Sequence, residues 1–244
     1  MLVDADSLDV VASGVMDQGI RQDVLAQELF ERLLDEKNIA AEDVRSVVAT
    51  GYGRKLIHQA DETITEITCQ AWGVHQRSRD ARAIVDIGGQ DSKFLRLDTN
   101  GQVEDFVMND RCAAGTGRFL EVVATRLGVK LESLGELAAK SQKAAVISSM
   151  CVVFAETEIT GLLATGMAPE DIAAGVQASI AARVASMAGR NAISTVVFTG
   201  GVALVPGMDR ALESALGRPI TIAPAPQLTA ALGAAVLAAN RLNK

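Results

Sequence analysis

Leu25, Leu29 and Leu33 recur every four residues through 22–37, and Phe30 and Leu34 widen the stripe. That spacing predicts a helix over Gln22–Lys37. A second stripe, Ile172, Val176, Ile180, Val184 and Met187, follows Pro169, which suits a first helical position. Phe119, Leu120, Val123 and Leu127 share one face of a third helix. Val152–Gly166 reads as another, Cys69 falls in a further helical stretch, and a last helix closes the chain from about Thr229. The short apolar runs between them predict strands at Leu2–Val3, Leu8–Ala12, Ser46–Thr50, Ala83–Ile87, Ser92–Leu97, Val103–Val107 and Thr195–Thr199. Asp98-Thr99-Asn100-Gly101 between two such runs signals a hairpin. Gly51-Tyr52-Gly53 and Gly200-Gly201 turn the chain sharply at strand ends. The polar stretch His75–Arg82 closes a first block.

The pattern repeats. Leu2–Val11 resembles Leu95–Val107, and Val47–Gly53 resembles Val196–Val202. A duplicated α/β lobe is the economical reading. It places residues 1–80 with a returning helix, 228–244, in an N-terminal lobe, and 81–227 in a second. The counterpart of Ile84–Lys93 is then expected before Met1, so the chain starts one strand late. A first lobe short of that strand exposes unpaired backbone.

Composition narrows the partners. The 244 residues are 49% hydrophobic and 22% charged, the balance of a globular chain with a sizeable core. Aromatics make up 3%, which argues against base-stacking platforms, and the net charge of −7 argues against nucleic acid or a membrane surface. The apolar run Ala230–Ala239 is about half the length of a membrane span. Asp4, Asp6 and Asp9 interrupt any signal-peptide core, so a cytoplasmic protein is expected. Three cysteines in such a chain point to metal binding or catalysis before disulfides. His58 and His75 lie in polar contexts and read as surface residues.

Four constellations carry chemistry. In Ile84–Lys93 a strand delivers Asp86 into Gly88-Gly89, followed by Gln90, Asp91, Ser92 and Lys93. Such a turn lets backbone approach a phosphate while the Asp holds magnesium; the alternative is a tight hairpin with solvated polar residues. Gly115-Thr116-Gly117 opens a helix whose first amides suit an anion, or Thr116 simply caps it. Thr199-Gly200-Gly201-Val202 suits a nucleobase or ribose, or is a plain strand-to-helix turn. Cys112 and Cys151 each precede a helix, where a thiol has a lowered pKa and serves as a thiolate ligand. Two such thiolates make half of a four-cysteine iron–sulfur site, which a two-fold dimer would complete, or they form a redox pair. Cys69 fits a buried small hydrophobe. Glu156 and Glu158 fit helix capping better than nucleotide contact.

Taken together, Asp86–Lys93, Met108–Glu121, Met150–Glu156 and Phe198–Val202 resemble the ATPase activators of 2-hydroxyacyl-CoA dehydratases, among the BadF/BadG/BcrA/BcrD-type ATPases. The resemblance runs from about Gly51 to the last helix. It implies the α/β fold of actin, of acetate and sugar kinases and of heat-shock chaperone ATPases. It implies ATP and Mg as cofactors, and a homodimer with one [4Fe-4S] cluster held by Cys112 and Cys151 of both copies. The dehydratase, or a related reductase, is the electron acceptor; ferredoxin or flavodoxin is the donor. Asp86 and Gln90 take the catalytic roles at magnesium and the attacking water. Gly88 and Gly89 meet the phosphates, Asp91, Ser92, Lys93, Gly115, Thr116 and Gly117 complete the cofactor site, and Gly200, Gly201 and Val202 meet the adenosine. Family members begin with a further phosphate loop that this chain lacks, so weakened ATP hydrolysis is expected. A benzoyl-CoA reductase-type ATPase subunit, a small-molecule kinase of the same fold and a non-catalytic iron–sulfur or nucleotide-sensing protein remain as rivals.

Overall fold

A computed structural model of the chain describes residues 1–148, 151–189 and 195–242. The elements run β1 (Leu2–Val3), β2 (Val10–Ala12), α1 (Gln22–Lys37), β3 (Val48–Ala49), β4 (Glu62–Thr63), α2 (Glu66–Arg77), β5 (Ala83–Ile87), β6 (Ser92–Leu97) and β7 (Val103–Asn109). Then come α3 (Gly117–Leu127), α4 (Leu131–Ala138), α5 (Val152–Ala164), α6 (Pro169–Ala188), β8 (Val196–Thr199), α7 (Met208–Leu216), β9 (Ile220–Ile222) and α8 (Thr229–Leu242). The chain divides into two compact units. One holds Met1–Asp80, Thr99–Val103 and Leu228–Lys244; the other holds Ala81–Asp98 and Glu104–Gln227.

The second unit is built on a five-stranded sheet in the order β7-β6-β5-β8-β9. β5 sits at its centre, antiparallel to β6 and parallel to β8. A strand buried on both faces reads as a continuous apolar run, and Ala83-Ile84-Val85-Asp86-Ile87 does so apart from Asp86. α6 lays Ile172, Val176, Ile180 and Val184 into the core as its stripe predicts. Phe119, Leu120 and Val123 of α3 and Val85, Phe94 and Phe198 of the sheet join them. Burial of each such side chain contributes about 1.5–3 kcal/mol before conformational entropy is subtracted. Pro169 is the first residue of α6, and Met187 packs partly buried against the core.

The first unit is organised differently. β1 and β2 form an antiparallel pair, β3 and β4 a separate parallel pair. Its packing centres on α2 against α8. Gly73 and Gly233 let the two backbones meet. A Cβ on Gly233 would run into the Cys69 carbonyl, and one on Gly73 into that of Thr229. Thr65 caps α2 by accepting from the Thr68 amide at 3.3 Å.

Several elements differ from expectation. β2 begins at Val10 rather than Leu8, because the Asp4 carboxylate accepts the amides of Asp6 and Ser7 and holds the turn open; Leu8 takes a left-handed φ of 61° there. β3 keeps only Val48–Ala49 of the expected Ser46–Thr50, and β7 runs two residues past Val107. β4, α4, α7 and β9 were not anticipated. His75 lies half-buried in α2, its ring where a Cβ on Gly101 would fall, so it is not a surface residue.

Candidate functional site

β5 and β8 are parallel neighbours, with Asp86 opposite Thr199. Their carboxyl ends therefore lie side by side, each running into glycines. The crevice at the carboxyl ends of parallel strands is where open α/β sheets bind ligands. Here Gly88-Gly89 follows β5 and Gly200-Gly201 follows β8. Gly200 has φ 86°, and a Cβ there would collide with the Ile87 carbonyl and lie 2.8 Å from Asp86 Oδ1. Only glycine fits both constraints.

α3 brings in the third glycine motif. The Gly117 amide donates to Gly88 O at 2.8 Å and the Arg118 amide to Gly89 O at 2.9 Å. A Cβ on Gly117 would lie 3.2 Å from Gly88 O and from Gly89 Cα, and 3.3 Å from a Val202 methyl. The three motifs thus converge in one unit. Their donors are partly committed, however. The first two α3 amides are engaged by the β5–β6 loop, and the Gly88 amide donates to Asp91 O at 3.0 Å. The exposed part of that loop narrows to its tip, Gly89 and Gln90. Thr116 occupies the N-cap position without capping; its hydroxyl donates to Ala113 O at 2.7 Å. Val202 is buried in the core, which leaves Gly201 as the exposed member of its trio.

Asp86 is 5% exposed and accepts from the Thr199 hydroxyl at 3.1 Å, a hydroxyl that also reaches Val85 O at 3.3 Å. Asp91 is equally buried, and a carboxylate oxygen of each lies within 4.8 Å of the other. Two hard carboxylate donors this close suit magnesium. The Ser92 hydroxyl, paired with Ile87 across the ladder and so on the other face of the sheet from Asp86, is buried without a partner. Lys93 does not project from the loop toward a ligand. It is 2% exposed, and its ammonium donates to Asp91 at 2.6 Å and Asp86 at 3.4 Å. The β5–β6 register, which faces Asp86 with Lys93, was readable from the length of the turn. Thr199 was within a recognised motif but carried no assigned role; its facing position on β8 supplies one.

Cys112 and Cys151 are free thiols of intermediate exposure. Cys151 is the N-cap residue of α5, as expected. Cys112 lies before α3, also as expected, in a turn where the Asn109 side chain donates to its carbonyl at 2.9 Å and to that of Ala114 at 3.1 Å. Glu156 and Glu158 do not cap α5. Glu156 pairs with Arg126 of α3, and Glu158 accepts from the amide and hydroxyl of Ser148. Met150 of the recognised motif lies outside the described residues. Cys69 is buried in the first unit, where burial pushes its thiol pKa up.

The profile of the BadF/BadG/BcrA/BcrD ATPase family matches residues 10–238. This chain belongs to that family. It is 44% identical to the 2-hydroxyisocaproyl-CoA dehydratase activator of Clostridioides difficile over 94% of its own length and 86% of the relative's. It is 41% identical to the (R)-2-hydroxyglutaryl-CoA dehydratase activating ATPase of Acidaminococcus fermentans, over 98% and 92% of the two chains. The solved structure of the C. difficile activator with bound ADPNP superposes with a TM-score of 0.92 at 41% identity, covering 99% of this chain and 90% of that one. The fold of the BadF-type chain is accordingly that of the actin-like ATPases. Among its described residues no helix is long and apolar enough to cross a membrane.

Proposed function

We propose that the chain is an ATP-driven activator of a 2-hydroxyacyl-CoA dehydratase, working as a homodimer that shares one iron–sulfur centre. The observation that carries the reading is the convergence of three glycine motifs around the buried Asp86, in a unit that also bears the thiols Cys112 and Cys151. The names of the relatives at 41–44% identity support the activator role.

Asp86 holds magnesium, directly or through water. Gly89 and Gln90 form the loop tip that meets the phosphates, and the Gln90 amide group orients the attacking water. Gly201 lies at the adenosine, while Gly88, Gly117, Gly200 and Val202 set the shape of the loops. Cys112 and Cys151 of one copy provide half the ligands of a [4Fe-4S] cluster, and a second copy related by a two-fold axis provides the rest. When bound, such a cluster supplies one-electron transfer at low potential between a ferredoxin or flavodoxin and the dehydratase. α3 is bonded to the phosphate loop at Gly117 and tied to α5 by Arg126 and Glu156. A change at the phosphates therefore has a path of direct contacts to the helix that follows Cys151.

Iron and acid-labile sulfide in anaerobically purified protein, measured with the native mass, test the reading. The expected result is a dimer with about two iron atoms per chain, lost in Cys112→Ala or Cys151→Ala. A protein that stays iron-free after anaerobic reconstitution overturns the electron-transfer role and leaves a nucleotide-binding fold, with a small-molecule kinase first among the rivals.

A further inference from the structure

Lysine is almost never fully buried unless paired, yet Lys93 is among the largest fully buried side chains of this chain. Its ammonium lies between two carboxylates, 2.6 Å from Asp91 and 3.4 Å from Asp86. Both carboxylates are themselves buried, and Asp86 is held from its other side by Thr199. The backbone enforces the arrangement. Asp86 and Lys93 face each other across the β5–β6 ladder, and the Gly88 amide bonded to Asp91 O closes the turn that brings Asp91 back over them. Both of these carboxylates lie inside the protein.

We propose that Lys93 is a positioning residue and not a phosphate ligand: it binds the Asp86 and Asp91 carboxylates into one unit and cancels one of their two charges. The proposal rests on the magnesium role given to Asp86 above. Two buried carboxylates without a counter-charge form a strong divalent-cation trap. With Lys93 between them the two carboxylates and the ammonium sum to a charge of about −1 in place of −2, which weakens the pair's hold on a free cation. Lys93 thus biases the site toward a cation that arrives already carried by the phosphates of a nucleotide. It also fixes the Asp86 carboxylate, which would otherwise turn toward whichever positive group came near.

The test is a calorimetric titration of Mn2+, a magnesium surrogate, into the nucleotide-free protein and its Lys93→Met variant. Thermal melts with and without Mn2+ accompany it, as does binding of a non-hydrolysable ATP analogue. Removing a positive charge a few ångströms from the metal position is expected to tighten Mn2+ binding by about tenfold or more. Mn2+ should also raise the variant's melting temperature more than that of the native protein. Equal Mn2+ affinity in the two proteins overturns the proposal. So does unchanged Mn2+ affinity with lost analogue binding, which would put Lys93 on the phosphate. If Lys93→Met is folded only with Mn2+, that itself fits a missing counter-charge. The double variant Lys93→Met/Asp91→Asn then decides, since it restores the net charge. It is expected to fold without metal and to bind Mn2+ within about threefold of native, and a double variant that stays unfolded overturns the proposal by making the lysine stem, not its charge, the essential part. The titration needs no nucleotide. Failure of every form to bind the ATP analogue would therefore remove the function proposed above and leave the Mn2+ comparison standing.

Discussion

The two units arrange similar strand pairs in different ways. In the second, the neighbouring strands β6 and β7 and the parallel pair β8–β9 are joined through β5 into one sheet. In the first, the antiparallel pair β1–β2 and the parallel pair β3–β4 remain two separate ladders among the described residues. A two-stranded ladder is marginal in water, so the first unit depends on the close α2–α8 helix pair. The second depends on its central strand, and that strand delivers Asp86 and the glycine loop. The comparison teaches that one local pattern of strand, turn and strand gives either a platform for chemistry or a helix-held body. Which of the two results depends on whether a central strand unites the ladders.

The sharpest way to break the comparison is to attack the helix pair alone. Gly233→Leu drives a side chain into the Cys69 carbonyl, and overpacking of this kind costs about 3 kcal/mol or more. Hydrogen exchange should then show protection lost in α2 and α8 while β5 amides keep theirs; equal loss in both units would make them a single cooperative body. Gly200→Ala attacks the other side. A left-handed φ and a backbone collision together cost about 2–3 kcal/mol, and nucleotide affinity should fall with stability in urea titrations. Thr199→Val removes one bond to the buried Asp86 and should cost about 1–2 kcal/mol. Its ATP hydrolysis should fall further than its melting temperature suggests, since the carboxylate loses a fixed orientation.

The smallest effect contrasts two carboxylates, Asp171, which is half-buried, and Asp4, which is exposed. Hydrogen bonds hold the carboxyl of Asp171 below the usual range, first from the Ser141 hydroxyl and then from the Lys143 amide. Asp4 in the first unit is held low chiefly by the Ser7 amide. A depressed folded pKa contributes stability above the ordinary value, lost as pH falls through the folded one. Ser141→Ala should therefore lower the melting temperature slightly at pH 7, with the gap to native closing as pH falls below the ordinary carboxylate range. A gap that stays constant with pH would show that the Ser141 bond does not act through this carboxyl.

Much of the second unit was legible because turn chemistry and periodicity agreed there. Ala83–Ile87 and Ser92–Leu97 flank a four-residue turn, and both strands match their expected bounds. The α6 stripe was equally plain. α4 was hidden by its eight-residue length and by an internal glycine, Gly135, which exists because Pro206 lies against it. That is a tertiary reason no local pattern displays. The glycine motifs could be read as phosphate loops, but which of their amides are engaged could not. The commitment of Gly117 and Arg118 depends on a partner loop more than twenty residues away. Lys93 counts as a ligand in the sequence because it closes the Gly88-Gly89 motif; its burial follows from a ladder register and from Asp91 folding back.

The bonds from α3 to Gly88 O and Gly89 O have one more consequence. A peptide turn is two-faced, offering lone pairs as readily as protons, and a phosphate is repelled by the first. Here the oxygens of both glycines are turned onto the helix. The bend is thereby sorted by polarity before any anion arrives, its repulsive half already engaged.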